Sequence, residues 1–126
     1  MKKILLIEDS PNCSCFLTEC LQRAGYSIEL VEKLPPSPTS RKFQEILQRA
    51  QEFDLVIWDA DVFDGSQSVM TFDGFIQAFA QVFKGFMLAN SKQDHYRAKQ
   101  MDAGCTHEVE DKDPAILLRI VKELLP

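Results

Sequence analysis

Three acids stand where acids are costly to place. Glu8 and Asp9 follow the apolar run Ile4 to Ile7, and Asp59 follows Leu55-Val-Ile-Trp58. Short continuous apolar runs of this kind suit strands buried on both faces, so these carboxylates would sit at the ends of buried elements, where an ionised group loses hydration. If the two strands are neighbours, three carboxylates share one crevice and repel one another unless a cation lies between them. A hard, all-oxygen donor set suits Mg²⁺ or Mn²⁺. Singly, each acid could merely end a strand or start a turn; together they read as a functional site.

The elements that would position these acids alternate along the chain. Lys3 to Ile7 reads as a strand, and a helix follows with Ser10 as N-cap and Pro11 at its first position. Its apolar face would be Cys13, Phe16, Leu17, Cys20, Leu21 and Ala24, and Gly25 stops it. Ser27 to Val31 is a second strand, and the proline-rich stretch Leu34 to Ser40 is a loop. Arg41 to Gln51 is helical, with Phe43, Ile46, Leu47 and Ala50 on one face, and Asp54 to Asp59 is the third strand. A polar, Gly-containing loop runs from Ala60 to about Thr71. The next helix is aromatic, with Phe72, Phe75, Ile76, Phe79, Val82 and Phe83 on one face.

Phe86 to Ala89 is a fourth strand, Gln93 to Ala103 a polar helix closed by Gly104, and Thr106 to Glu110 a fifth strand. The last helix starts at an Asp113 N-cap with Pro114 next and would bury Leu117, Ile120, Val121 and Leu124. Five strand–helix alternations predict an α/β fold, a parallel sheet covered on both faces by right-handed crossovers. In such sheets ligands bind outside the carboxyl ends of the strands, which is where Glu8, Asp9 and Asp59 fall.

Composition bounds the functions. A chain of 126 residues is one domain's worth, so a single domain over 1–126 with no separate output domain is expected. With 45% hydrophobic and 26% charged residues the chain is ordinary for a soluble globular protein, which argues against disordered, collagen-like and membrane-spanning classes. Fourteen Lys and Arg against nineteen Asp and Glu give 14 − 19 = −5, with no basic cluster, which argues against direct nucleic-acid binding. The apolar stretch after Met-Lys-Lys is too short for a secretory signal, so a cytoplasmic protein that does not bind membranes is expected. No Cys-x-x-Cys pair exists, Cys13 and Cys15 point to different helix faces and Cys105 is remote, so the cysteines read as buried free thiols. His95 and His107 stand apart from any ligand motif, and Trp58 reads as packing against a neighbouring helix.

Across almost its whole length the chain resembles the receiver domain of two-component response regulators, of the chemotaxis-regulator type. The resemblance is carried by Lys3-Ile-Leu-Leu-Ile-Glu-Asp9, Asp54-Leu-Val-Ile-Trp-Asp59, Asp73-Gly-Phe75 at the start of the third helix, and Ala103-Gly104. It implies a flavodoxin-like three-layer fold with strand order 2-1-3-4-5. It further implies that Glu8 and Asp9 hold Mg²⁺, that the Asp61 backbone carbonyl completes the protein ligands, and that Asp59 accepts a phosphoryl group from a histidine kinase or phosphotransfer protein. Output would pass to a downstream target protein, and homodimerisation stays open. Charge neutralisation of the transferring group is the main chemistry such a site needs.

Three positions depart from that family's pattern. Fifteen residues before Gly104, where receivers carry Thr or Ser, stands Ala89; seven residues after it, where they carry Lys, stands Asp111; the aromatic switch position is Glu108. No Thr and Tyr pair is left to report phosphorylation. Lys112, next to Asp111, either enters the site in place of the missing Lys or caps a surface turn. Charged residues of the face built from the fourth helix, fifth strand and fifth helix, among them Arg97, Lys99, Glu108 and Arg119, read as solvated. Two functions are therefore weighed: a receiver phosphorylated on Asp59, and a pseudo-receiver binding proteins without phosphorylation. A remote third is a phosphatase, since Asp59-Ala-Asp61-Val resembles the Asp-x-Asp signature of haloacid-dehalogenase-type enzymes, although those carry it on an N-terminal strand.

Overall fold

All five expected strands form and carry the sheet, and the computed structural model describes residues 1–8, 11–35, 37–59, 62–63, 69–70 and 73–126, with the side chains of 11–14, 62–63 and 69–70 left aside. Strands β1 (Lys3–Ile7), β2 (Ser27–Val31), β3 (Leu55–Trp58), β6 (Phe86–Ala89) and β7 (His107–Glu108) pair in parallel in the order β2-β1-β3-β6-β7. Counting these five alone, the order is 2-1-3-4-5, as the resemblance implies. The helices are α1 (Pro11–Arg23), α2 (Arg41–Gln48), α3 (Asp73–Val82), α4 (Asp94–Ala103) and α5 (Pro114–Leu124). Among the described residues no helix is long and apolar enough to cross a membrane.

Alternation along the strands splits the core into two layers. Ile4, Leu6, Leu55, Ile57 and Leu88 pack with Leu17 and Leu21 of α1 and Leu117 and Val121 of α5. Leu5, Ile7, Val56, Trp58, Met87 and Ala89 face the other way, onto Phe43 of α2 and Phe75, Ile76 and Phe79 of α3. Trp58 is fully buried and meets the Phe79 ring edge-on, 5.9 Å between centroids, so it packs against a helix as expected.

Several readings need correction. The stretch after Asp59 holds a short antiparallel ribbon, β4 (Val62–Phe63) with β5 (Val69–Met70), because apolar pairs flank its polar centre. The second helix ends at Gln48 and gives way to a 3-10 turn at Ala50–Glu52, and the fifth strand shrinks to His107–Glu108. Phe16 and Val82, both assigned to buried faces, are 53% and 40% exposed; each sits at the margin of its stripe, beside Leu17 and Phe83, which take the core positions. Cys15 is likewise exposed, whereas Cys105 is buried. Arg97, read as solvated, is 5% exposed. Cys13, Ser10, Thr71 and Phe72 lie outside the described side chains.

Candidate functional site

The ladder of backbone hydrogen bonds runs one residue past each central strand. Glu8 N donates to Val31 O at 3.1 Å, Asp59 N to Ile7 O at 2.9 Å, and Asn90 N to Trp58 O at 2.8 Å. In a parallel sheet, residues in register point to the same side. Ile7, Trp58 and Ala89 are in register and face the α2/α3 layer. Glu8, Asp59 and Asn90, each one step later, therefore form the next row, turned toward α1 and α5. Glu8 and Asn90 are fully buried and Asp59 is 2% exposed.

The cation in this row is Lys112. Its Nζ lies 2.8 Å from Asp59 Oδ2 and 3.0 Å from Glu8 Oε2, so it reaches into the crevice rather than capping a surface turn. The approach has a local cause. Val109 N donates to Ala89 O at 2.9 Å and its side chain is buried, which ends the sheet. The following 3-10 turn, Glu110–Lys112, then carries two consecutive residues in left-handed backbone, Asp111 at φ 55 and Lys112 at φ 52. For residues with a Cβ that conformation costs about 1 kcal/mol each, and it persists where surrounding contacts over-determine it. Here the turn leaves Asp111 exposed and delivers Lys112 to the two carboxylates. The chain then enters α5 through the expected cap, Asp113 Oδ1 accepting from Ala115 N at 2.8 Å.

Electrostatics follow from burial. Desolvation pushes the Asp59 carboxyl up to about 8, the hydrogen bond and charge of Glu8 add to that, and Lys112 pulls the other way without winning. For Lys112, burial favours the neutral amine, but the Asp59 and Glu8 carboxylates more than offset it and hold the ammonium above its ordinary value. Among the described residues, Asp59 Oδ1 has no hydrogen-bond partner.

Of the other expected site residues, Asp9 and Asp61 lie outside the described residues. Among the described residues no group of three or more His, Cys, Asp and Glu comes together. Ala89 ends β6 with its methyl on the Trp58 side, and Glu108 pairs with it in register on β7 and is exposed. The pattern reading missed a polar cluster beyond β6. Gln100 Nε2 donates to Trp58 O at 3.2 Å, and Gln100 Oε1 accepts from Ser91 N at 3.4 Å. Arg97 Nη1 donates to Ser91 O and Lys92 O at 3.0 and 3.1 Å, and its Nη2 pairs with Asp94. Arg97 is thus buried because it satisfies the carbonyls of the β6–α4 turn. Asn90 was also missed, although it follows Phe86–Ala89 as Asp59 follows Leu55–Trp58, a signal the chain does carry.

No family model matches the chain, and no curated protein matches it. Solved structures do. The chemotaxis protein CheY4 of Vibrio cholerae, crystallised at low pH, is 24% identical with a TM-score of 0.67, over 99% of both chains. The BeF3-activated N-terminal receiver domain of Klebsiella pneumoniae RstA is 16% identical with a TM-score of 0.72, over 98% of both chains. A Burkholderia pseudomallei response regulator with a phosphorylated aspartic acid and a calcium ion is 16% identical with a TM-score of 0.66, over 98% of this chain and 66% of that one. With its sheet order and near-full coverage, the chain has the fold of CheY-like response regulator receiver domains.

Proposed function

We propose that the chain is a response regulator receiver that accepts a phosphoryl group on Asp59 and signals through protein contacts. The observation carrying this reading is the Lys112 ammonium, 2.8 Å from Asp59 Oδ2 and 3.0 Å from Glu8 Oε2 at the carboxyl ends of the central strands. In the transfer, an Asp59 carboxylate oxygen forms a bond to phosphorus while the donor's bond to phosphorus breaks, and the leaving group keeps the electron pair. Lys112 offsets charge on the transferring oxygens, and the buried row keeps bulk water away. Asp59 acts as phosphoacceptor rather than as part of a turnover enzyme. The donor is a histidine kinase or phosphotransfer protein, the recipient a downstream target protein, and the setting the cytoplasm.

The donor set fits a hard divalent cation. Two buried carboxylates, Glu8 and Asp59, share one row, and Asp59 binds a proton far more tightly than an ordinary carboxyl, an affinity a metal would compete for. Glu8 and Asp59 would hold Mg²⁺ or Mn²⁺, with Asp9 and the Asp61 carbonyl as the further ligands that the receiver resemblance implies. When bound, the metal would neutralise phosphoryl oxygens and keep Asp59 ionised. The calcium ion and phosphorylated aspartic acid of the Burkholderia neighbour are consistent with this chemistry on the same fold.

A second reading is favoured by two features: Lys112 already bridges both carboxylates, and Ala89 brings no hydroxyl. A site balanced in this way would suit a binding module that works without phosphorylation. Incubation with Mg²⁺ and acetyl phosphate, followed by intact-mass measurement, separates the two. A single phosphoryl adduct on the wild type that Asp59→Asn lacks is expected; no adduct on either would favour the binding module.

A further inference from the structure

The face that α4 turns to the sheet is polar where a core helix is normally apolar. Its buried residues are Arg97, Gln100 and Ala103, spaced three apart and hence on one side of the helix. Gln100 is fully buried and Arg97 nearly so. An apolar residue would fill either place at lower cost, because a buried amide or guanidinium must find its partners inside the protein. Both find them at one spot, the junction between the end of β3 and the turn after β6.

Gln100 spans that junction. Its Nε2 donates to Trp58 O at 3.2 Å, and its Oε1 accepts from Ser91 N at 3.4 Å. Trp58 O also accepts from Asn90 N at 2.8 Å, so the carbonyl takes two donors, the number its lone pairs allow. Across the same peptide bond, Asp59 N donates to Ile7 O at 2.9 Å. The peptide unit that carries Asp59 is therefore held from β1, from the end of β6 and from α4. The far end of the glutamine is fixed in turn: Arg97 Nη1 donates to Ser91 O and Lys92 O, and Gln93 N donates to Ser91 Oγ at 3.3 Å. Lys112 holds the Asp59 side chain at Oδ2, whereas Gln100 holds the backbone behind it.

We propose that Gln100 is a positioning residue for phosphoryl transfer: by tying the Trp58 carbonyl to the β6–α4 turn, it fixes the backbone from which Asp59 attacks. The inference rests on the reading of Asp59 as acceptor. Transfer needs a carboxylate oxygen aligned with the bond that breaks at phosphorus, so a small misplacement of the acceptor lowers the rate although no group touching the phosphoryl is lost. The last peptide of a strand is where a ladder frays, and a bond from a packed helix opposes that fraying.

The test follows phosphoryl adduct by intact mass over a range of acetyl phosphate concentrations with Mg²⁺, on wild type, Gln100→Met and Gln100→Ala. Each rate is normalised to the folded fraction from circular dichroism. Met fills a similar space without either hydrogen bond, and Ala removes the side chain altogether. Both should lower the maximal rate roughly tenfold and leave the half-saturating acetyl phosphate concentration unchanged. Hydrogen exchange at the Asp59 amide should quicken in both by more than their loss of global stability accounts for. Wild-type maximal rates in both variants, or a raised half-saturating concentration at an unchanged maximal rate, overturn the positioning role and leave Asp59 as acceptor. Slowing that vanishes on normalisation to folded protein, or that comes without faster exchange at Asp59, overturns it too. Absence of adduct on the wild type overturns the acceptor reading and this inference with it.

Discussion

The two ends of the central sheet carry the same kinds of residue and put them to opposite use. At the amino end, Lys3, Glu29, Arg49 and Glu52 form a matched network: Arg49 grips Glu29 at 2.6 and 2.9 Å and Glu52 at 3.0 Å, and Lys3 adds contacts of 3.6 and 3.4 Å to the same carboxylates. Lys3 and Arg49 also lie over the Phe53 ring, 5.3 and 5.7 Å from its centroid. All four side chains keep partial access to water. Their hydrogen bonds hold the Glu29 and Glu52 carboxyls below their ordinary values. At the carboxyl end, among the described residues, two buried carboxylates share one lysine, a buried amide is unpaired, and the Asp59 carboxyl is driven up to about 8. The first end is organised for stability. The second holds unmet interactions, as expected of a place where a ligand completes the set.

The contrast can be broken most forcefully at Lys112. Lys112→Met would leave Glu8 and Asp59 facing each other without a cation and should cost about 3 kcal/mol at pH 8, read by urea unfolding. The cost should shrink at pH 5, where Asp59 holds its proton, and Mg²⁺ should recover part of it at pH 8. A pH-independent cost would mean that Lys112 matters for packing rather than for charge.

Next in size is Asp59→Asn. Because the folded-state value of Asp59 is raised from 3.8 to about 8, the native state binds that proton more tightly than the unfolded chain does. Its contribution is fully present below the unfolded value and is lost as pH rises toward 8. The Asn variant, which never ionises, should therefore exceed wild-type stability by about 2 kcal/mol at pH 8 and by little at pH 4. Equal stabilities across that range would contradict the assigned burial penalty.

At the other end the sign reverses and the size falls. The lowered Glu29 carboxyl contributes above its ordinary value of 4.5, and that contribution is lost as pH falls through its depressed folded value. Arg49→Met should cost about 1 kcal/mol or less near neutrality, since the pairs are partly solvated, and half a molar salt should erase most of it. The smallest effect is expected at Asp111→Gly. It relieves a left-handed residue but loosens the unfolded chain, so stability should move by about 0.5 kcal/mol or less, with the Lys112 contact retained.

Most of the frame was legible because buried parallel strands announce themselves as unbroken apolar runs. Lys3–Ile7 and Phe86–Ala89 were placed to the residue, and alternation with helices fixed the sheet type. Margins were less legible: Phe16 and Leu17 are adjacent apolar residues, and helical period alone does not say which one the sheet covers. Glu8 and Asp59 could be seen as a pair because each ends such a run. Lys112 could not be settled, since one residue's shift depends on two left-handed residues that no local pattern demands of Asp111-Lys112. Asn90 was overlooked because a neutral amide after an apolar run looks like the start of a loop. Only the strand register shows it beside Asp59.

The central claim is that Asp59, held between Glu8 and Lys112, takes a phosphoryl group. Treating the acetyl-phosphate-reacted protein with borohydride, which reduces an acyl phosphate to the alcohol, and sequencing its peptides by mass spectrometry reads the acceptor directly. Homoserine at position 59, absent without phosphodonor and strongly reduced in Lys112→Met, is the predicted result. An unmodified Asp59 peptide, or reduction at another carboxylate with Asp59 intact, would contradict it.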